Sequence, residues 1–311
     1  MKKQLRTSVR VVALAIASFT LITACGSSSS SDTTVAVDTT VAVDTTVAVD
    51  TTVAVEAPQR IVSLSATATE MLYAIGAGSQ VIAVDEYSNY PADAVALGTK
   101  LNAFEPNIEA IAAYTPDLVI ISNDMASVTE RLKALDITVW VGAAPATIDD
   151  AYAQITQLGA ATGHSDEASQ LVTSMKDGIS TAIDGVKAPA GTSYFYELDN
   201  TYYSVTSNTF IGSLLSSLGL TNIADGVEAG NDYPQLNAEA LIKANPGIIF
   251  LADTKCCAQT AATVAARPGW SSIAAVKNNA VIELDDDISS RWGPRIVDLV
   301  KQFADAVKAL K

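Results

Sequence analysis

Glu109-Ala-Ile-Ala-Ala-Tyr-Thr-Pro116-Asp-Leu-Val-Ile-Ile121 and Glu239-Ala-Leu-Ile-Lys-Ala-Asn-Pro246-Gly-Ile-Ile-Phe-Leu251 align without a gap. Each opens on Glu-Ala, runs on as a short amphipathic helix, breaks at a proline and ends in an apolar run. Proline lacks the N–H that a helix needs, and it drives the preceding residue out of the right-handed helical region. The runs Leu118–Ile121 and Ile248–Leu251 are short and rich in β-branched residues, the pattern of strands buried on both faces of a parallel sheet. Any α/β protein contains helix-turn-strand units. The matched glutamates and prolines favour two related lobes.

The flanking sequence continues the alternation. Strands are expected at Ile61–Ser65 and Val81–Asp85, around a helix Thr69–Ile75 that Gly76 closes with a left-handed cap. Thr138–Val141 is a further strand, and Ser193–Leu198 and Val281–Leu284 belong to the second half. The fold class is therefore α/β, with two Rossmann-like lobes of mostly parallel strands. Between the halves, Asp166–Val186 lacks proline and carries Ala168, Leu171, Val172, Met175, Ile179 and Ile183 at helical spacing. Ser165 is expected to cap this segment, with Glu167 in its first turn. One long helix then joins a lobe at 58–164 to a lobe at 188–311, the helix itself occupying 165–187. A ligand belongs in the cleft between the lobes, outside the carboxyl ends of the strands.

Composition narrows the function. Hydrophobic residues make up 49% of the 311, and 34 acidic residues outweigh 19 basic ones for a net charge of −15. Four of the basic residues (Lys2, Lys3, Arg6, Arg10) crowd the first ten positions. Such an acidic body is repelled by phosphate backbones, which argues against nucleic acid. Its acidity is read as a solubility device.

The N-terminus reads as an address and a tether. A basic start is followed by the apolar run Val11–Ile22, interrupted by Ser18 and Thr20 and too short to span a bilayer comfortably. Thr23-Ala24 completes a secretory signal over 1–24. Leu21-Ile22-Thr23-Ala24-Cys25 resembles a bacterial lipobox, in which Cys25 becomes the lipidated first residue. The alternatives are an ordinary signal peptide or a retained anchor with a cysteine nearby. Residues 25–57 then supply a serine run and four copies of Asp-Thr-Thr-Val-Ala-Val, from Asp32 to Val55. The repeat's alternation would also suit a strand, but 24 residues without a turn signal fit an extended, disordered spacer. Acyl chains on Cys25 would hold the protein to the membrane at about 0.8 kcal/mol per buried CH₂.

Five stretches, in order, carry a family resemblance. They are Arg60-Ile-Val-Ser-Leu-Ser-Ala-Thr-Ala-Thr-Glu70, Val84-Asp-Glu-Tyr-Ser-Asn-Tyr-Pro91, Pro106-Asn-Ile-Glu109, Thr115-Pro-Asp-Leu-Val119, and Tyr233-Pro-Gln-Leu236 before Glu239. From Pro58 to Lys311 the chain resembles the cobalamin and iron-siderophore substrate-binding proteins of ABC importers, with the vitamin B12-binding branch nearest. The resemblance implies the class III architecture, two lobes on one long helix. It implies a monomeric body that is not an enzyme and hands a small ligand to a permease dimer driven by a cytoplasmic ATPase. It also implies that Glu109 and Glu239 dock into basic pockets on the two permease subunits. Each glutamate would equally favour its own helix N-terminus.

The same resemblance places Tyr87 and Tyr233 at cleft positions, with Phe104 near a third, where the family has a tryptophan. Ser65, Ala66 and Thr67, at a strand end entering a helix, would offer N–H groups to the ligand. Tyr202 is expected to face the cleft, Arg291 to reach a ligand carboxylate or phosphate, and Trp292 to stack on the ligand. Ordinary packing is the alternative for each aromatic, and the expected role of Trp140 and Trp270. Cys256 and Cys257, after the strand Ile248–Ala252, are expected near the cleft mouth, as a vicinal disulfide, two thiols or a weak metal contact. No cofactor is implied; the ligand is cobalamin, haem or a ferric siderophore. A receptor for bare zinc or manganese needs several histidines, whereas the chain has one, His164, read as local capping surface. No Gly-x-Ser-x-Gly elbow supports a hydrolase. An adhesive surface protein would suit the repeats but leave the two-lobed body unused.

Overall fold

The computed structural model describes residues 56–310. The signal, Cys25 and repeat readings concern residues outside that range. The first half runs β1 (Ile61–Leu64), α1 (Ala66–Ala74), β2 (Val81–Val84), α2 (Ala92–Ala96), α3 (Ile108–Ala112), β3 (Leu118–Ile121), α4 (Val128–Lys133), β4 (Thr138–Val141) and α5 (Ile148–Thr162). The long helix α6 (Ser165–Ile183) follows. The second half runs β5 (Ser193–Glu197), α7 (Phe210–Ser217), β6 (Thr221–Asn222), α8 (Ala238–Ala244), β7 (Ile248–Leu251), α9 (Ala261–Ala265), α10 (Ala274–Lys277), β8 (Val281–Glu283), α11 (Asp286–Ser289) and α12 (Ile296–Lys308).

The strands form two four-stranded sheets, ordered β2-β1-β3-β4 and β6-β5-β7-β8, all parallel. The two orders are the same, and the duplicated segments occupy the same place in each. Asn107 caps α3 by accepting from the Ala110 N–H at 3.0 Å, and Asn237 caps α8 by accepting from the Ala240 N–H at 2.9 Å. The residue before each proline is left-handed, Thr115 at φ 46° and Asn245 at φ 49°. The residue after each proline bonds to the start of the neighbouring strand: Asp117 N–H to Arg60 O, just before β1, and Gly247 N–H to Ser193 O, in β5. All four residues of β3 and of β7 are buried. Each such side chain contributes roughly 1.5–3 kcal/mol on leaving water.

Helix α1 starts at Ala66, three residues before the sequence expectation, because the Ser65 hydroxyl accepts from the Ala68 N–H and sets the cap there. The expected cap of α6 needs correction. His164 holds the cap position without a side-chain bond, and Ser165 is already helical. After Gly163 (φ 81°) the chain turns at once, with His164 N–H donating to Gly159 O and Ala168 N–H to His164 O, so the helix begins one residue early.

Helix α6 is clamped on two sides. A Cβ at Gly159 of α5 would lie 2.4 Å from the Ala168 Cβ, and one at Gly178 would lie 2.8 Å from Val297 of α12. Such distances are unattainable for larger residues, so α5, α6 and α12 approach as closely as they do only with glycine there. One apolar core runs from Met71 and Leu72 of α1 through Ile155, Leu158 and Met175 to Phe250 and Phe303. A second cluster, including Ile111, Val119 and Leu132, covers the other face of the first sheet. Because the main core passes through the bridging helix, large lobe separation would expose packed apolar surface.

Candidate ligand cleft

The carboxyl ends of both sheets face a common cleft, which holds two adjoining cavities. The first, about 300 Å³, is walled by the β1–α1 junction, the loops after β2 and β3, and Arg291 and Trp292. The second, about 210 Å³, lies between Ala144-Pro145 of the first lobe and Leu198, Phe210, Ile211 and Tyr233 of the second. Ser290, Arg291 and Trp292 border both.

Of the side chains picked out in the sequence, Ser65, Ala66, Thr67, Tyr87, Phe104, Arg291 and Trp292 line the first cavity, and Tyr233 lines the second. Ala66 and Thr67 open α1, so their N–H groups have no intrahelical acceptor. Tyr87, Phe104 and Tyr233 are about half exposed, at 49%, 55% and 52%. The Tyr87 and Phe104 rings meet edge to face, with centroids 5.3 Å apart. Exposed aromatics gathered at a concavity mark a surface that meets something else. Trp292 is anchored at one end, its indole N–H donating to Gln154 Oε1 at 2.8 Å.

Two expectations are corrected. Tyr202 lines neither cavity; at φ 71° its left-handed backbone turns the ring onto Trp270 and the Arg267 guanidinium. Cys256 and Cys257 line neither cavity; the Cys256 N–H donates to Asp286, the neighbour of Asp287, which borders the first cavity. Arg291 borders the cavities, but its guanidinium is committed elsewhere. Its Nη1 donates to Glu70 Oε1 (2.7 Å) and Asn89 Oδ1 (3.0 Å), and its Nη2 to Tyr87 O and Asp287 Oδ1, both at 2.9 Å. Arg295 joins the same Glu70 carboxylate, with Nε 2.9 Å from Oε2. Arg291 is therefore a clasp between the lobes that also holds the loop presenting Tyr87. Glu70 is only 3% exposed, so this clasp operates where charges cannot be left unpaired.

Sequence reasoning missed two acidic groups. Asp85 ends the β2 run, lines the first cavity and is buried, with Oδ1 lacking a hydrogen-bond partner. Burial pushes its carboxyl above the usual range against the pull of its hydrogen bonds from Ser88. Its place in the quoted Val84–Pro91 stretch, directly after a strand, was the available signal. Asp253, after β7, is fully buried with both oxygens unpartnered. Burial first, then the Glu197 carboxylate, raises it from 3.8 to about 7. Glu197 is itself paired with Arg267, with Oε2 2.8 Å from Nη1.

Asp253 yields a pH prediction. Between pH 4 and 7 the folded chain keeps a proton that the unfolded chain has lost, so stability falls as pH rises, by about 1.4 kcal/mol per unit at most. Above pH 7 the penalty is complete, and below pH 4 it is absent. Asp253→Asn is expected to raise the melting temperature at pH 8 and leave it unchanged at pH 4. Thermal unfolding by circular dichroism at the two pH values checks this, and equal shifts at both would contradict it.

Two equivalent lobes, a clamped connecting helix and an aromatic cleft define a two-lobed cleft-binding protein. The chain belongs to the periplasmic binding protein family, whose model matches residues 61–288. Over 259 residues, 80% of each chain, it is 31% identical to the uncharacterized ABC transporter substrate-binding lipoprotein YvrC of Bacillus subtilis. A possible iron-binding, periplasmic solute-binding protein from Staphylococcus epidermidis superposes with a TM-score of 0.70 at 27% identity, over 81% of this chain and 99% of that one. The periplasmic vitamin B12-binding protein BtuF of Vibrio cholerae superposes at 0.67 and 26% identity, over 82% and 98%.

Proposed function

We propose that this chain is the extracytoplasmic substrate-binding component of an ABC importer, tethered through a lipidated Cys25, and that its cleft captures cobalamin. The observation that carries this reading is the aromatic cleft shared by two topologically equivalent lobes. Tyr87 and Phe104 approach it from one lobe and Tyr233 from the other, a pair of jaws suited to a large, flat, partly apolar guest. Aromatics hold such faces with little loss of side-chain entropy. Buried Asp85 and the free N–H groups of Ala66 and Thr67 supply polar contacts for amide edges.

Cobalamin carries its own axial ligands, so the cleft need not supply one. The chain's single histidine, His164, sits at the start of α6 rather than in the cleft. A haem or ferric chelate is the second reading, favoured by the exposed phenols of Tyr87 and Tyr233, either of which would serve a ferric ion.

Delivery rests on Glu109 and Glu239. Both are exposed, both occupy the second helical position after an asparagine cap, and neither carboxylate has a hydrogen-bond or ion-pair partner among the described residues. Two equivalent free carboxylates match a partner of two-fold symmetry, where charges govern encounter rate and register more than affinity. The double reversal Glu109→Lys with Glu239→Lys is expected to reduce uptake of labelled cyanocobalamin to background in cells relying on this protein. Binding by the purified variant should stay within about twofold of the parent, because exposed charges away from a site scarcely alter it. Equal loss of binding and uptake would end the docking assignment.

A further inference from the structure

Cys256 and Cys257 lie in the loop between β7 and α9 and line neither cavity of the cleft. Both are free thiols, and their Sγ atoms are 2.7 Å apart, closer than two non-bonded sulfurs ordinarily sit. The loop itself brings them together. The Asp286 carboxylate accepts from the N–H groups of Lys255 and Cys256, at 2.9 and 2.8 Å to Oδ2. The Lys255 ammonium spans Asp285 and Asp287 at 2.8 and 2.6 Å. On the far side, the N–H groups of Cys257 and Gln259 both donate to Asp253 O, and the Gln259 side chain is held by Arg267 at 2.6 Å. A segment fixed at both ends therefore keeps two thiols adjacent before any bond joins them.

A metal site fits less well. Among the described residues no group of three His, Cys, Asp or Glu side chains is placed to hold a metal ion, and Asp286 is occupied with backbone N–H groups.

We infer that Cys256 and Cys257 form an oxidation site that closes to a vicinal disulfide by exchange with a disulfide donor. The donor's S–S bond breaks through a mixed disulfide and the Sγ–Sγ bond forms. Two electrons pass to the donor, and the two thiol protons end on the two thiols it releases. The cysteine pair is oxidised and the donor reduced. The ring closes almost no chain, so it contributes little stability. Its consequence is chemical: it withdraws two accessible thiols from a compartment that carries such donors. The inference goes beyond ligand capture and holds whichever ligand the cleft takes.

The test uses the full chain, isolated in detergent from membranes and alkylated with iodoacetamide before any reductant is added. The tryptic peptide from Cys256 to Lys277 is expected unalkylated and two hydrogens lighter than the dithiol, gaining two carbamidomethyl groups only after reduction. Protein first reduced and then equilibrated with oxidised glutathione should return to the same species without a lasting glutathione adduct, whereas Cys257→Ser should retain one on Cys256. Full alkylation before reduction, together with persistent glutathione adducts on the parent, would overturn the inference. So would protection relieved by a chelator rather than a reductant, which would assign the pair to metal capture.

Discussion

Glu70→Ala is expected to destabilise the protein by about 3–5 kcal/mol, the usual cost of removing one partner from a buried ion pair. At about 2–4 °C per kcal/mol for a chain of this size, the melting temperature falls by roughly 10 °C. The reason is local. Glu70 is buried in α1, and its carboxylate pairs with both Arg291 and Arg295 of the second lobe. Without it two guanidinium groups remain in partly desolvated positions, with Asp287 left to balance Arg291. The same substitution frees the loop at Tyr87 and Asn89, because Arg291 holds both. Ligand affinity should therefore fall along with stability. Replacing Glu70, Arg291 and Arg295 together by methionine should recover most of the stability but not the affinity, since apolar groups of similar size dispense with the pairing without restoring the hold on the loop. Thermal melts and ligand titrations of the two variants measure both effects. A Glu70→Ala protein melting within a degree or two of the parent would show that the clasp contributes nothing.

The second large effect concerns the jaws. Tyr87→Ala and Tyr233→Ala are each expected to weaken cyanocobalamin binding by about thirtyfold, the equivalent of roughly 2 kcal/mol for an aromatic anchor at the centre of an interface. The double variant should lose about a thousandfold if the two lobes grip the ligand independently. Both side chains are half exposed in the free protein, so melting temperatures should hardly move. Isothermal titration calorimetry separates the outcomes. Unchanged affinity in the double variant would place the ligand elsewhere. A large drop in melting temperature would mean that the rings act as packing.

Much of this architecture was legible in the chain because its signals are local and repeated. A proline seven residues after a glutamate, followed by a β-branched run, appears once per half, and each copy folds into the same helix, turn and central strand. Asparagine caps at 107 and 237 set the equivalent glutamates in the first turns of the helices that precede those strands. The long helix could be read from apolar spacing alone. Its first residue could not, because the tight return from His164 to Gly159 replaces a side-chain cap with backbone bonds.

The site was legible only in part. Tyr87, Phe104 and Tyr233 sit in loops directly after strands or before duplicated helices, so topology carries them to the cleft. Arg291 has the right address for a ligand contact, yet its partner Glu70 lies 221 positions away, and no local pattern announces such a pairing. Tyr202 follows a strand as expected, but a left-handed backbone turns its ring onto Trp270 instead. Asp85 and Asp253 went unnoticed because what distinguishes them is burial without partners, a property of the packed molecule.

The central claim is that two equivalent lobes close an aromatic cleft on a corrinoid. Calorimetric titration of the full chain with cyanocobalamin, run beside haemin and a ferric hydroxamate siderophore, tests it most directly. Saturable one-to-one binding of cyanocobalamin with a raised melting temperature, and tighter than either iron chelate, is the predicted result. No heat and unchanged melting with cyanocobalamin would contradict it.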